Sequence, residues 1–290
     1  MMSLMKKILS VKNITTGYDK NIIITNASFD VNPGEFIGII GKNGAGKSTL
    51  LKSLRGFLPL VKGSITLFGK ELKSYSQREL AVQIAYLQQQ VEMTFDYTAR
   101  DMVMAGRYPY KKWWEQSSDS DADIVDACMQ YTGVMELANT PIRAMSGGQR
   151  QRVYLAKVLA QQTHVLFLDE PASGLDLFYQ EEIFRFCQEM CKYGKTVIMV
   201  VHELNLAARY CSRLMLLKEG NIIADGNPGD VLTDELLTEA YGVDIRSLIN
   251  KETGHVDIFT VPAPDDSRKK ELIKTIIGDK HNHGKAVAYE

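Results

Sequence analysis

The chain has 290 residues, of which 45% are hydrophobic, so it can bury a sizeable core in one large domain or two small ones. Its 34 basic and 35 acidic residues leave a formal net charge of -1, which argues against a general nucleic-acid binder, because such proteins usually carry a basic excess. The four cysteines fit no zinc-binding spacing, the first ten residues lack a signal peptide's apolar segment, and no apolar run is long enough to span a membrane. We therefore expect a protein of a reducing, cytoplasmic compartment.

The first part of the chain is rich in β-branched residues. These predict strands over residues 8–15 and 22–31, separated by a polar turn. The apolar run at 35–40 is typical of a buried strand, and leucines at helical spacing within 47–58 predict a helix. A further strand is predicted over 63–68.

The middle of the chain changes character twice. From residue 77 to about 160 the apolar residues recur at helical spacing, which predicts a mostly helical insertion. Strand character returns at 164–168, 196–201 and 213–218, with helical stretches between them. This alternation is typical of a parallel sheet with crossover helices. We therefore predict an α/β domain over residues 6–245, in which an antiparallel β subdomain and the helical insertion accompany the parallel sheet.

Residues 246–290 are predicted to form a C-terminal extension. Segments 243–249 and 255–261 resemble two strands joined by a polar turn, which indicates a hairpin. The rest of the extension is polar, and we expect a peripheral helix or a loosely ordered tail. His281 and His283 lie in this tail, where a solvated segment is the expected interpretation rather than a metal site.

A glycine-rich loop connects the strand predicted at 35–40 to the helix that follows. Its glycines allow the backbone to curl so that N–H groups point inward, and the helix presents free N–H groups and the positive end of its dipole. Lys47 is placed to reach the β- and γ-phosphates of a nucleotide, and Ser48 offers an oxygen ligand to Mg²⁺. The loop predicts binding of ATP with Mg²⁺ by Gly41, Asn43, Gly44, Ala45, Gly46, Lys47, Ser48 and Thr49.

Two adjacent carboxylates, Asp169 and Glu170, follow the apolar run at 165–168. They stand at the C-terminal tip of a predicted buried strand, where the ligand sites of α/β proteins lie. Asp169 is placed to hold the Mg²⁺ shell through water. Because side chains alternate along a strand, we expect Glu170 to point to the other side, and it is the candidate for polarising the attacking water. With the glycine-rich loop, the pair predicts nucleotide hydrolysis.

A second helix start rich in small residues occurs at Ser146-Gly147-Gly148-Gln149, far along the chain from the first loop. One ATP has no obvious need for two such cradles. The three motifs together resemble the ATP-binding cassette (ABC) family, whose signature is Leu-Ser-Gly-Gly-Gln; Met145 replaces the leucine. The resemblance covers about residues 8–241 and implies the fold of a P-loop NTPase with a RecA-like core.

The resemblance implies roles for further residues. Tyr18 would stack on adenine, Asp176 would lie in the loop that crosses to the other protomer, and His202 would contact the γ-phosphate. Gln89 would sense Mg²⁺ and contact the membrane subunit, although the run of glutamines at 88–90 leaves this choice open by one position. The catalytic residues so implied are Glu170, His202 and Gln89, and the residues of the metal site are Ser48, Gln89 and Asp169.

The resemblance also implies partners and a mechanism. Two copies would pair head to tail in an ATP-dependent manner, and Ser146, Gly147, Gly148 and Gln149 of one copy would contact the ATP of the other. Integral membrane permease subunits would be direct partners and an extracytoplasmic substrate-binding protein an indirect one, at the cytoplasmic face of the membrane and without nucleic acid. A soluble cassette ATPase acting on ribosomes or DNA is the alternative, disfavoured because such proteins usually carry two cassettes or long coiled-coil arms. A non-catalytic binding module is disfavoured because every catalytic position is filled.

Two short segments resemble the ATPases of iron-siderophore, haem and cobalamin importers: Gly106-Arg107-Tyr108-Pro109, and the stretch that begins at His202 with Glu203. They imply import of an iron chelate or cobalamin through a separate permease. Transport of another metal or an oxyanion, export, and a coincidental surface turn stay open. The nearby aromatic residues form a permease contact or pack the insertion's own core; they are Tyr108, Tyr110, Trp113 and Trp114.

Overall fold

The structure is a computed structural model that describes residues 7–88, 96–111, 118–262 and 267–277. The strands described are β1 (Leu9–Tyr18), β2 (Asn21–Val31), β3 (Phe36–Ile40), β4 (Leu60–Leu67), β5 (Lys70–Glu71), β6 (Ile84–Leu87), β7 (Val165–Asp169), β8 (Thr196–Val200), β9 (Arg213–Lys218), β10 (Asn221–Gly226), β11 (Ile245–Ile249) and β12 (Val256–Thr260). The helices described are α1 (Lys47–Leu54), α2 (Gln77–Gln83), α3 (Ala99–Met104), α4 (Asp119–Tyr131), α5 (Gly147–Ala160), α6 (Leu177–Lys192), α7 (Leu204–Tyr210), α8 (Pro228–Val231), α9 (Asp234–Tyr241) and α10 (Ser267–Ile276). Within these ranges no helix is both long and apolar enough to cross a lipid bilayer.

The main sheet has the strand order β10-β9-β3-β8-β7-β6. Its strands are parallel except for β10, which pairs antiparallel with β9 at one edge. Every residue of β3, β7 and β8 is buried, as expected where other elements cover both faces of a parallel sheet. Side chains of β3 therefore divide between two cores, with Ile37 and Ile39 in one and Phe36 and Ile40 in the other. The predicted α/β class is confirmed.

An antiparallel sheet in the order β2-β1-β4-β5 covers helix α1. Leu50, Leu51 and Leu54 of α1 share one core with this sheet and with one face of the main sheet. The helix ends at Leu54, earlier than the predicted residue 58, because Gly56 adopts a left-handed conformation with φ of +80°. The amide of Phe57 then bonds back to the carbonyl of Lys52 at 3.0 Å and closes the helix end.

The block at 77–160 that the periodicity assigns to a helical insertion contains a strand. Strand β6 pairs in parallel with β7 and forms an edge of the main sheet. The helices that pack on one another as the insertion are α3, α4 and α5. The prediction was wrong over β6 because a short apolar strand inside an α/β sheet shows no alternation of polar and apolar residues, so its periodicity cannot be told from that of a buried helix.

The turn between α3 and α4 is anchored inside the insertion. Arg107 is 8% exposed, and its guanidinium donates to a carboxylate oxygen of Asp121 and to the carbonyl of Ala160, both at 2.8 Å. A side chain at Gly106 would place its Cβ 2.3 Å from the carbonyl oxygen of Lys157, so the backbone lies directly against α5. Gly106 and Arg107, which begin the segment that resembles importer ATPases, are therefore packed inside the insertion and not exposed in a surface turn.

The aromatic residues near this turn have different environments. The hydroxyl of Tyr110 donates to a backbone carbonyl at the end of α5 at 2.6 Å, and its ring lies against the guanidinium of Arg107. Tyr108 is 63% exposed. Trp113 and Trp114 lie outside the described residues. For Tyr110 the structure supports internal packing of the insertion.

The predicted C-terminal hairpin is present as β11 paired with β12. Its strand β12 is fastened to α7 by Asn205, whose side chain donates to the carbonyl of Ile258 at 3.3 Å and accepts from its amide at 2.7 Å. Strand β11 is fastened to α9, because Ser247 donates to Asp234 through its amide and its hydroxyl, both at 2.7 Å. Helix α10 follows with its described side chains exposed.

Candidate nucleotide-binding and hydrolysis site

The glycine-rich loop at 41–46 leaves β3 and enters α1 with a curled backbone. Gly41, Gly44 and Gly46 have φ values of +143°, +82° and +101°, which residues with a side chain rarely adopt. A Cβ at Gly41 would also lie 2.3 Å from the carbonyl oxygen of Leu217. The loop therefore needs glycine at these positions, and it opens at the N-terminal end of a helix that offers free N–H groups to an anion.

Lys47 is 5% exposed, and its ammonium lies within the loop. Its Nζ donates to the carbonyl oxygens of Gly41 at 2.7 Å and Lys42 at 3.1 Å. Burial lowers the pKa of Lys47, while the nearby charges of Glu170 and Asp169 act in the opposite direction. A cation held inside a ring of backbone dipoles is suited to receive a polyphosphate.

Ser48 and Asp169 meet beneath the loop. The Ser48 hydroxyl donates to one oxygen of the Asp169 carboxylate at 2.8 Å, which leaves the lone pairs of that hydroxyl available. Asp169 is 1% exposed, and burial raises its pKa, while the hydrogen bond from Ser48 opposes this shift. A hydroxyl and a carboxylate side by side are the hard oxygen ligands that Mg²⁺ prefers, so these residues fit that ion.

Glu170 and His202 lie in contact, with 2.6 Å between a carboxylate oxygen and Nε2. Strand β7 ends at Asp169, and Glu170 itself has φ of +52°, in the left-handed region that residues other than glycine seldom occupy. Alternation of side chains along β7 does not orient Glu170, because this residue lies beyond the end of the strand. Its direction is set by the backbone turn, and this turn brings it to the histidine at the end of β8.

A cavity of about 430 Å³ lies over the loop. In the described part of the chain it is lined by Ile23, Asn43, Gly44, Gly46, Lys47, Ser48, Thr49, Glu170 and His202. The cavity thus unites the phosphate loop with the glutamate and the histidine. Tyr18, predicted to stack on adenine, ends β1 with its ring 44% exposed and is not among the residues that line this cavity.

The signature residues begin helix α5 and do not line that cavity within the described residues. The Ser146 hydroxyl accepts from the Gln149 amide at 3.2 Å, and the Gln149 side chain accepts from the Ser146 amide at 2.9 Å, a capping box. A Cβ at Gly147 would meet nothing within 4 Å. Gly147 is exposed, and the packing of its own chain gives no steric reason for a glycine here. The position therefore suits close approach by another molecule.

Asp176 caps the helix that follows the acidic pair. Its carboxylate accepts from the amide of Tyr179 at 3.1 Å at the start of α6. The loop before it, with Ser173 and Gly174, lines a small cavity that also includes Glu170 and His202. The predicted crossing loop thus lies beside the candidate catalytic pair.

Two tyrosines at the site were missed by sequence reasoning. Tyr86 of β6 donates its hydroxyl to the second carboxylate oxygen of Asp169 at 3.2 Å. Tyr241 of α9 accepts a hydrogen bond from the amide of Gly41 at 3.1 Å. No local pattern reveals these contacts, because one depends on which strand neighbours β7 and the other on where α9 packs. Gln89, the predicted Mg²⁺ sensor, lies outside the described residues.

Other candidate metal sites are not found in the described ranges, which contain no cluster of three or more potential His, Cys, Asp or Glu ligands. His281 and His283 lie outside those ranges. Cys187 and Cys211 are buried, and burial raises the pKa of both thiols. Their environment is that of small apolar core residues.

Three features define a phosphate-loop nucleotide-binding protein: a curled glycine loop at the N-terminus of a helix, a buried lysine, and a serine hydroxyl bonded to the aspartate that ends strand β7 of the same sheet. A family model described as ABC transporter matches residues 24–173. An ABC transporter of known structure, solved in an inward-facing conformation, is 26% identical with a TM-score of 0.76, over 88% of this chain and 98% of that chain.

Similar curated proteins are described as ATP-binding proteins of transport or import systems. The uncharacterized ABC transporter ATP-binding protein YvrA of Bacillus subtilis is 37% identical over 91% of this chain, which spans 60% of YvrA. The achromobactin transport ATP-binding protein CbrD of Dickeya dadantii is 38% identical over 82% of this chain and 89% of its own length. The hemin import ATP-binding protein HmuV of Rhodococcus jostii is 39% identical over 80% of this chain and 79% of its own length.

The chain therefore belongs to the ABC transporter family. It is an ATP-binding cassette that couples ATP hydrolysis to transport, and the predicted P-loop NTPase fold is confirmed.

Proposed function

We propose that this ATPase energises the import of an iron chelate, either a siderophore complex or haem, through a separate permease. One observation carries the hydrolytic part of the proposal: Glu170 and His202 lie in contact at the cavity above the phosphate loop. The cargo class is supported by the achromobactin and hemin systems named for CbrD and HmuV. The turn at Arg107 that resembles importer ATPases adds support from the sequence.

The residues of the site divide the work of hydrolysis. Lys47 and the loop amides bind the β- and γ-phosphates. Ser48 and Asp169, with Gln89, hold Mg²⁺, which when bound offsets the negative charge of the transferring phosphoryl group. Glu170 orients and deprotonates the attacking water, and His202 contacts the γ-phosphate while holding Glu170 in place. Tyr18 stacks on the adenine ring.

Hydrolysis requires a second copy of the chain. The signature, Ser146 to Gln149, and the crossing loop at Asp176 complete the ATP site of the partner in a head-to-tail dimer. The side-chain-free surface at Gly147 supports this role, because it leaves room for the partner's nucleotide. The closed dimer forms with ATP bound at its interface and opens after the γ-phosphate is cleaved.

The dimer works at the cytoplasmic face of the membrane, bound to integral membrane permease subunits. An extracytoplasmic binding protein delivers the cargo to the permease, and no nucleic acid takes part. The second candidate is transport of cobalamin, another metal or an oxyanion. The ATPase does not contact the cargo under this mechanism, so its own residues do not distinguish these cargoes.

The proposal is tested by purifying the chain with its permease in lipid vesicles and adding the cognate binding protein. We expect binding protein loaded with a ferric siderophore or haem to raise the rate of ATP hydrolysis several-fold over unloaded binding protein. Glu170→Gln in the same complex is the control for hydrolysis by contaminants. Stimulation by cobalamin or an oxyanion, with none by any iron chelate, would assign the chain to the second candidate.

A further inference from the structure

Tyr86 connects an edge strand of the sheet to the carboxylate of the metal site. Its hydroxyl donates to the oxygen of Asp169 that Ser48 does not occupy, at 3.2 Å, while Ser48 donates to the other oxygen at 2.8 Å. The buried carboxylate is thus held at both of its oxygens.

The position of this hydroxyl follows from strand pairing. Tyr86 in β6 is paired with Phe167 in β7, and Asp169 stands two residues further along β7, so the three side chains lie on the same face of the sheet. The other side of the tyrosine ring is packed edge-on against Phe57, with ring centroids 5.2 Å apart at an angle of 82°. The phenol is therefore fixed in direction by its own strand and by a neighbouring ring.

Both oxygens of Asp169 need partners, because the residue is only 1% exposed and a buried carboxylate left without hydrogen bonds is costly. A carboxylate with one hydrogen bond can rotate about its last torsion, whereas one with two bonds on different oxygens is held in a single plane. Groups that orient a metal-binding carboxylate in this way tune the affinity of the site for the ion.

We propose that Tyr86 is a positioning residue of the magnesium site: its hydroxyl fixes the Asp169 carboxylate and thereby sets the contribution of Mg²⁺ to nucleotide affinity. This proposal rests on the proposed function, in which Ser48 and Asp169 hold Mg²⁺. It assigns to Tyr86 no contact with nucleotide.

Tyr86→Phe removes the hydroxyl and keeps the ring that packs on Phe57. The measurement is the affinity of the full-length protein for ADP, by calorimetry, once with excess Mg²⁺ and once with EDTA. We expect the ADP affinity in EDTA to match that of the wild type. The gain from Mg²⁺, which is the factor by which Mg²⁺ raises the ADP affinity, should fall about 10-fold, the lower end of the effect seen for residues that support metal ligands. Binding of Mn²⁺ in the presence of ADP, followed by electron paramagnetic resonance, should weaken by the same factor.

Tyr75→Phe is the matched control. The Tyr75 hydroxyl donates to the carbonyl of Leu67 at 2.9 Å, at the antiparallel sheet and in no contact with Asp169, so this variant also loses one tyrosine hydrogen bond. Its gain from Mg²⁺ should equal that of the wild type.

Two results would overturn the positioning role. One is an unchanged gain from Mg²⁺ in Tyr86→Phe, and the other is an equal loss of affinity with Mg²⁺ and with EDTA, which would show general support of the fold. Failure of the proposed metal site itself looks different, because the wild type would then gain nothing from Mg²⁺ and Ser48→Ala would behave like the wild type.

Discussion

Glu170 and His202 are the residues whose geometry says most about the chemistry of the site. Their contact at 2.6 Å joins the ends of two neighbouring parallel strands, β7 and β8. The left-handed backbone at Glu170 is a conformation of higher energy that persists when the surrounding structure fixes it, and it is often found at functional sites. The strain at this residue serves to turn its carboxylate into the cavity over the phosphate loop.

At the residue scale we predict the effect of Glu170→Gln. Glutamine keeps the shape and the left-handed backbone but cannot accept a proton from water, so the rate of ATP hydrolysis should fall by at least about 100-fold, at the low end of general-base contributions. Binding of ATP should persist, and an ATP-bound dimer should accumulate in gel filtration.

Glu203→Gln is the control for this change. Glu203 lines the same small cavity as Glu170 and loses the same charge on substitution, but it has no assigned part in the reaction. Undiminished steady-state hydrolysis by Glu170→Gln would exclude Glu170 as the general base.

The roles of the residues that lie in a recognisable motif could be predicted from the sequence. The loop lysine, its serine and the acidic pair occur at spacings that phosphate and metal binding require, so their types and order predict their roles. Tyr86 lies just before the run of glutamines at 88–90, and its contact with Asp169 exists because β6 is the neighbour of β7. A residue whose partner is set by strand order gives no local signal.

At the scale of elements, the helical insertion is held together by a buried ion pair. Arg107, in the turn after α3, and Asp121, in the first turn of α4, are 8% and 7% exposed. The hydrogen bond from Arg107 lowers the pKa of Asp121 well below its usual range, assisted by bonds from Ser118 and Lys111, although desolvation opposes the shift. The pair fixes α4 relative to the preceding turn and to the end of α5.

We predict that Asp121→Asn lowers the free energy of unfolding by about 3 kcal/mol at pH 7, because it leaves the buried guanidinium without its charged partner. A lowered pKa means that the folded protein releases this proton more readily than the unfolded chain. The stabilisation is therefore complete above the ordinary carboxyl pKa of about 4 and is lost as the pH falls below it.

Urea unfolding of the wild type and the variant between pH 3 and pH 7 checks this prediction. The difference in unfolding free energy between the two proteins should shrink towards pH 3, because protonation of Asp121 in the wild type removes the negative charge that the variant already lacks. Asp126→Asn is the control. The Arg100–Asp126 pair joins α3 to α4 and is more than one third exposed at its carboxylate, so its loss should change stability by less than about 1 kcal/mol. A constant difference across this pH range would contradict the assignment.

The helices and strands differed in how well the sequence predicted them. Strand β9 was predicted with its observed bounds, and the hairpin β11–β12 was found within a few residues. Strand β6 was hidden within a helical pattern, and α1 ended early at Gly56. Periodicity identifies long, one-sided elements, whereas a short buried strand has no polar side to reveal it.

At the scale of the whole molecule, we propose that one chain supplies two separate half-sites. The cavity over the phosphate loop is lined in the described residues without any signature residue, and the signature presents Gly147 with open space above it. A head-to-tail pair with two-fold symmetry would bring each half-site to the other.

This arrangement predicts complementation between two inactive variants. Lys47→Ala and Ser146→Arg should each abolish hydrolysis as pure proteins, because every site of each dimer lacks one half. After equal mixing, half of the dimers contain both variants and have one intact site of two, so the mixture should recover about a quarter of the wild-type rate.

Steady-state ATP hydrolysis of the mixture measures this recovery. A mixture of Lys47→Ala with Lys47→Met is the control and should remain inactive, since no dimer then has an intact loop. Full activity of pure Ser146→Arg would show that the signature does not complete the ATP site.

The sequence by itself determined the class of chemistry, because phosphate binding and hydrolysis demand particular residue types at short, fixed spacings along one loop and at one strand end. It also determined the α/β class, through the alternation of strand and helix. Only the tertiary structure decided which distant residues share the site: Tyr86 at Asp169, Tyr241 at Gly41, and His202 at Glu170. These contacts follow from strand order and from the packing of helices across the sheet, which bring together residues that no local sequence pattern relates.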